Sequence, residues 1–325
     1  MLRYVGKRLL MMVPVIIGIS LLIYLVMGLT PGDPARQYLG PLATEEELDA
    51  YREEMGLNDP ILTQYLRYMK GAIRGDFGIS LSTKGPVWDE LKQRIPTTVS
   101  LALASMLVMI VGALPAGIIS AVKQYSALDY TVTILALVAT SIPGFWAGMM
   151  LMLLFSLNLG WLPSIGVGSW KHFVLPAITA AITLMAALLR MTRSNMLEVI
   201  RSDYIVTARA KGAPERIVVF KHALRNALLP VITIIGINFG LLLGGAMATE
   251  TIFAMNGVGT LLIAAVRAKD YPLSVTIIIM TSITISLVNL AVDVLYAYVD
   301  PRIKSQYMRA GRRKRKTMRG VTTNG

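Results

Sequence analysis

The sequence predicts an all-α integral membrane protein with six transmembrane helices. Three observations lead there. The chain of 325 residues is 54% hydrophobic and 16% charged, with mean hydropathy +0.59, too apolar for a soluble domain of this length. Its uncharged runs reach the about 20 residues that a helix needs to cross the hydrocarbon core. Those runs are continuous and lack the period-two alternation of barrel strands.

The first run, Leu9 to Leu29, reads as an uncleaved first helix within residues 1–30, because no small-x-small cleavage site precedes "TPGDP". Residues 31–96 read as a small extracytoplasmic helical cap. Thr44 and Glu47 make a capping box that opens "TEEELDAYREEMGL". "LNDP" ends that helix, and Ile61, Leu62, Tyr65, Leu66 and Met69 fall near helical spacing in a second. "GDFGIS" reads as a turn. Packing onto the spans is the simpler role for this cap, and contact with a partner is the other.

The second span is Thr97 to Val122. Tyr130 to Trp170 is uncharged throughout and long enough for one helix plus a re-entrant or surface loop. His172 to Leu189, Asn226 to Thr249 and Tyr271 to Val292 complete the set. Pro115, between Gly112 and Gly117, and Pro143, before Gly144, mark kinks or places of close helix approach. The core thus covers 97–298, with a cytoplasmic loop at 191–227 and a basic tail at 299–325.

The net charge of +13 is distributed by topology. Arg3, Lys7 and Arg8 precede the first span. Residues 190–225 hold eight Lys/Arg against three acids, and residues 300–325 hold nine against one. The first loop, 30–96, holds eight basic and eleven acidic residues. This is the positive-inside pattern with both termini cytoplasmic. It explains the basicity without nucleic acid. The tail is a topology anchor by the same rule, with attraction to anionic membrane lipid as a second role.

The chemistry that is missing narrows the function. Cysteine is absent, so disulfides and thiolate catalysis are excluded. No G-x-x-x-x-G-K-[ST] pattern occurs, so the chain has no P-loop for nucleotide. Two histidines and no H-E-x-x-H motif leave no metal site to expect. The nineteen methionines read as apolar filler, with a soft-metal pathway as the minority alternative. No residue is singled out as catalytic. Glu250, at the end of the fifth run, and Asp293, within the sixth helix, are gate candidates together with Pro143. Structural pairing of the two acids is the competing reading.

The segment "DYIVTARAKGAPERIVVFKHALRNALLP", residues 203–230, is basic and broken between two apolar runs. It reads as helix, tight turn, helix on the cytoplasmic side. Its candidate residues are Asp203, Tyr204, Ala208, Arg209, Ala210, Lys211, Gly212, Ala213, Pro214, Glu215 and Arg216. Gly212 makes the turn, and Pro214 starts the second helix at its first turn. Ala208 and Ala210 leave room for another protein's backbone, and the arginines offer charge-assisted contacts. That combination is a docking knob for a motor that has no membrane part of its own.

This segment resembles the cytoplasmic "EAA" loop of ATP-binding-cassette (ABC) importer permeases. More narrowly, the chain is similar to the first permease subunit of dipeptide, oligopeptide and nickel importers. "TPGDPA", "GLNDPILTQYLRYM", "PVWDELKQRIPTTVSL", "SIPGFWAGMML", "GWLPSIG", "HFVLPAIT", "LLGGAMATETIFAMNGVGTLLIAAVRAKDYP" and "NLAVDVLYAYVDPR" carry the likeness in order along nearly the whole chain. Two departures stand out. "VTA", Val206 to Ala208, replaces the glutamate and two small residues of the wider loop pattern. "AMNG", 254 to 257, stands where related chains often have a Trp-Pro-Gly turn.

The resemblance implies the type I importer fold and a non-catalytic subunit of the bacterial inner membrane. It implies a second permease subunit, two cytoplasmic ATPases and an extracytoplasmic substrate-binding protein as partners. ATP and magnesium then belong to the ATPases, and this chain binds no cofactor. The implied cargo is a di- or oligopeptide, with nickel or another chelated metal as the alternative. From the residues alone, a stand-alone carrier or channel and a membrane sensor remain open.

Overall fold

The continuous apolar runs form an all-helical bundle. This computed structural model describes residues 2–29 and 32–299, so the basic tail at 300–325 lies outside the described residues. Among those described, β structure is confined to one bridge, Ile79 with Pro86. It closes a turn at 81–83, just after "GDFGIS" (75–80), where the sequence reading places one.

The first apolar run is α1 (Leu2–Leu29). The cap follows as α2 (Pro34–Leu39), α3 (Glu45–Glu54) and α4 (Ile61–Ala72). Each start has a local cause. Asp33 caps α2 by accepting from the Ala35 amide at 3.0 Å, and Pro34 occupies the first turn, where a missing N–H costs nothing. Thr44 Oγ1 accepts from the Glu47 amide at 3.3 Å, and the Glu47 carboxylate accepts from the Thr44 amide at 2.8 Å, the expected capping box. Asp33 also pairs with Arg52 of α3. Burial alone would raise the Asp33 carboxyl, but the Arg52 guanidinium and the Ala35 amide outweigh it and hold it below the usual carboxylate range. Tyr65 of α4 seats the cap on α1 through a buried 2.8 Å hydrogen bond with Ser20.

The next helix, α5 (Val87–Val122), has 36 residues, about 54 Å at the α-helical rise. It therefore overruns the about 30 Å of hydrocarbon. The sequence reading starts this span at Thr97, where the uncharged run begins, and leaves Asp89 and Glu90 in the preceding loop. They are the acidic first turn of the helix instead. Hydropathy marks where lipid begins, not where a helix does.

The third run is broken. α6 (Ala127–Ser141) and α7 (Gly144–Leu151), the latter continued by a π-helical turn over Met152–Asn158, meet at 104°. Pro143 causes the break, since it disfavours helical backbone at Ile142, which is extended. The expected helix plus re-entrant or surface loop is thus a sharply bent helix pair, followed by an irregular stretch to Trp170.

α8 (Lys171–Ile200) runs eleven residues beyond the predicted end at Leu189. Two short helices, α9 (Asp203–Ala210) and α10 (Glu215–Ile217), then reverse the chain. A π-helical turn, Val218–Ala223, leads into α11 (Leu224–Ile252). α12 (Val258–Arg267) and α13 (Tyr271–Val299) complete the bundle. Among the described residues, five unbroken helices are long and apolar enough to span a membrane, and six spans result when the bent pair is counted as one.

α5 and α8 share the most extensive contact in the bundle. Small residues allow it. A Cβ at Gly117 would fall 2.9 Å from the Leu189 carbonyl, and one at Gly112 would fall 2.4 Å from Met185 Sδ. α5 runs through Pro115 as one helix, so this stretch serves close approach. Met109, Ala113, Ala181, Leu188 and Val231 fill the core where α5, α8 and α11 meet.

Candidate functional site

The hairpin between α8 and α11 is built by its own sequence. α9 ends at Ala210 with Lys211 as its cap, and Gly212 follows with φ +78°, a left-handed conformation that suits glycine. The Gly212 amide donates to Arg209 O at 2.9 Å, and the Ala213 amide donates to Ala208 O at 3.2 Å. This pair of bonds satisfies the last carbonyls of α9 and reverses the chain within three residues. A Cβ built on Gly212 meets nothing within 4 Å, so the turn is the free tip of the hairpin.

Pro214 stands one position earlier than expected. It caps α10 with extended ψ of 146°, and Glu215 opens the helix. Arg209 donates twice to Glu215 across the turn, from Nη2 at 2.6 Å and from Nε at 3.1 Å. One of the basic residues read as a docking contact is therefore answered within the hairpin. Both partners are more than a third exposed, so this pair contributes about 0–1 kcal/mol. Lys211 and Arg216 lie exposed beside it.

The hairpin is anchored on one side and open on the other. Ile205 of α9 is fully buried among Ala121, Met196, Val218 and Ala223. Asn226 donates to the Tyr204 hydroxyl at 3.0 Å, which ties α9 to the start of α11. Asp203, Val206, Ala210 and Phe220 remain exposed, and Ala208 is half-buried.

The three gate candidates lie apart, each with its own partners. Pro143 makes the bend between α6 and α7. Asp293 pairs with Arg8 of α1 at 2.6 Å, the structural pairing considered for it. Glu250 is fully buried at the end of α11 opposite the hairpin. It accepts from Thr98 Oγ1 of α5 at 2.5 Å and from the Thr260 amide of α12 at 3.1 Å. Thr98 in turn accepts from the Val258 amide at 2.8 Å. The carboxylate and Thr98 thus occupy the N-terminus of α12, where free amides and the helix dipole favour an anion.

The "AMNG" stretch makes the turn between α11 and α12 without a Trp-Pro-Gly sequence. Ala254 takes φ +46°, and Met255 is buried against Leu101, Leu175 and Phe253. Gly257 is required by crowding, since its Cβ would lie 2.2 Å from Glu250 Cδ. Gly257→Ala is expected to displace the carboxylate, costing about 1–3 kcal/mol as overpacking does. Membrane abundance should fall moderately and transport more steeply. Unchanged transport would remove this cluster from the working parts.

Residues 113–305 match the family described as "Binding-protein-dependent transport system inner membrane component", and residues 1–102 match its N-terminal companion. The chain belongs to this family. The permease is 41% identical over 304 residues to the glutathione transport system permease protein GsiC of Escherichia coli strain K12, covering 94% of this chain and 99% of that protein. The Shigella dysenteriae protein of the same name matches equally well. Among solved structures, the inward-facing MetNI methionine ABC transporter shares the fold at 21% identity, with a TM-score of 0.56 over 65% of this chain and 96% of that one. An amino acid ABC transporter crystallised with histidines matches at 12% identity and a TM-score of 0.51, over 66% and 94%.

The permease is thus a multi-pass inner-membrane subunit of an ABC importer, and such subunits are non-catalytic. Its relatives are permease components of binding-protein-dependent transport systems, and its structural neighbours belong to ABC transporters.

Two polar clusters of the permease escaped the sequence reading. Asp129 of α6 is almost fully buried and takes both arms of Arg193 of α8, Nε at 2.7 Å and Nη2 at 2.8 Å. Ser120 of α5 donates to the same carboxylate. With Ser120, the pair joins α5, α6 and α8 at the hairpin end of the bundle. A signal was present: an acid one residue before an uncharged run and an arginine just past another, on the same predicted side. In the second cluster Asp270 likewise stands one residue before an uncharged run, but its partners Ser80 and Ser82 carry no charge to mark them.

Proposed function

We propose that this permease imports peptides as one of two permease subunits, driven by two cytoplasmic ATPases that grip the Asp203–Arg216 hairpins. The observation that carries this reading is the hairpin itself. Its tip is open and its root is buried, so force applied at the tip reaches both α8 and α11. With the bent pair counted as one span, six spans put both termini and this hairpin on one side, and the basic residues favour the cytoplasm for that side. ATP and magnesium are held by the ATPases, and an extracytoplasmic receptor delivers the cargo.

In this reading ATP binding closes the ATPases and rocks the hairpins. The membrane helices then shift from inward- to outward-facing, a population shift that needs differential binding of the two states. Glu250 and Gly257 fix α12 against α11 at the receptor end, and Pro143 sets the bend of the third span. Asp293 holds α13 to α1.

Peptide cargo is supported by the 41% identity to a glutathione transport permease, since glutathione is a modified tripeptide. The test is uptake by cells that lack their own peptide and glutathione import and that express the whole importer. Labelled glutathione and the dipeptide Ala-Phe are offered, with nickel chloride as competitor. Uptake of at least one peptide that needs intact ATPases and ignores nickel is expected. Nickel accumulation without peptide uptake would overturn the cargo assignment.

A further inference from the structure

Asp270, in the short turn between α12 and α13, is fully buried. Its carboxylate is shared between a distant loop of the cap and the first turn of α13. Oδ2 accepts from Ser80 Oγ at 2.5 Å, Ser82 Oγ at 2.8 Å and the Ser82 amide at 3.1 Å. Oδ1 accepts from the Leu273 amide at 3.1 Å and so caps α13. The cap thus supplies three of the four donors. Among the described residues no cation pairs with this carboxylate in a salt bridge. If the cap loop slipped away, a buried charge would lose most of its partners.

Other contacts follow the same seam. Tyr68 of α4 shares a 2.8 Å hydrogen bond with Thr276 of α13, and the Tyr271 hydroxyl donates to Met27 O of α1 at 2.8 Å. Val87 and Leu91, just after the cap loop, pack with Leu261 and Ala265 of α12 and with Leu273 and Ile277 of α13. α12 is held in turn by Glu250 of α11, the helix that begins at the hairpin.

We propose that Asp270 is a positioning residue that locks the extracytoplasmic cap to α12 and α13, so that a receptor seated on the cap drives those helices. This rests on the importer reading. Packing alone would hold the cap in place, but it lets surfaces slide. A buried carboxylate with four fixed donors permits one register only. The lock makes the cap a lever for receptor signals.

The test uses the whole importer reconstituted in lipid vesicles. ATP hydrolysis is measured with and without the receptor that co-purifies with it, its own ligand in place. Asp270→Ala is expected to keep basal hydrolysis and to lose receptor stimulation by about tenfold or more, as disrupted coupling does. Full stimulation of that variant would overturn the proposal. Should Asp270→Ala fail to assemble, Ser80→Ala with Ser82→Ala decides. It removes two of the cap's three donors and keeps the carboxylate with its bond to the Leu273 amide. Basal hydrolysis is expected to stay and receptor stimulation to fall several-fold. Full stimulation of this variant would overturn the lock. A wild-type complex that ignores its receptor would instead overturn the importer reading, and this inference with it.

Discussion

Gly212→Arg is expected to leave the permease in the membrane at near-normal abundance and to abolish ATP-driven uptake. Gly212 sits at φ +78° at the tip of the hairpin. An L-residue with a Cβ pays roughly 1–2 kcal/mol to adopt left-handed backbone. That strain is local to an exposed turn, and an added Cβ meets no neighbour in the chain. The fold should therefore survive it. The arginine side chain instead occupies the space in front of the turn, where the ATPase approaches in the proposed coupling. Gly212→Asn separates the two effects, because asparagine tolerates the left-handed conformation and is short. It should retain most uptake. Abundance is read by immunoblot, uptake by labelled peptide, and docking by recovery of the ATPase with the permease. Normal uptake by Gly212→Arg would sink the docking assignment.

Asp129→Ala is expected to destabilise the bundle itself. It removes one side of a bidentate ion pair and leaves the Arg193 guanidinium partly buried without its anion. Deleting one partner of a buried pair costs about 3–5 kcal/mol. The Arg193 side chain keeps 26% exposure against 3% for Asp129, so the low end, about 3 kcal/mol, is the better expectation. That is a large part of a typical stability margin. Abundance should drop several-fold, with greater sensitivity to detergent and heat. Asp129→Ala combined with Arg193→Met removes the stranded charge and should recover much of the abundance. If the single variant is as abundant and heat-resistant as wild type, the pair does not hold α5, α6 and α8 together.

The spans were legible because the bilayer imposes a length on apolar runs, and Leu9 to Leu29 or Tyr271 to Val292 could be read directly. The hairpin was legible for a different reason: Gly212 and Pro214 are local signals of local geometry. Helix ends such as Val87 and Ile200 were not, since a helix continues past lipid with polar residues that look like loop. Long-range partners were hidden most deeply. Glu250 was noticed as an acid in a span, but its hydrogen bond to Thr98 joins residues 152 apart. Asp270 meets Ser80 across 190 residues. Hydropathy and spacing carry no record of such pairs until the fold brings them together.

The central claim is that the permease works only as the membrane part of an ATP-driven importer. Gentle purification of the tagged chain from its native membrane, with identification of what accompanies it, tests this most directly. A second permease, a pair of ABC ATPases and a receptor with bound peptide are the predicted company. A preparation of this chain alone that moves solute into vesicles without ATP would contradict the account.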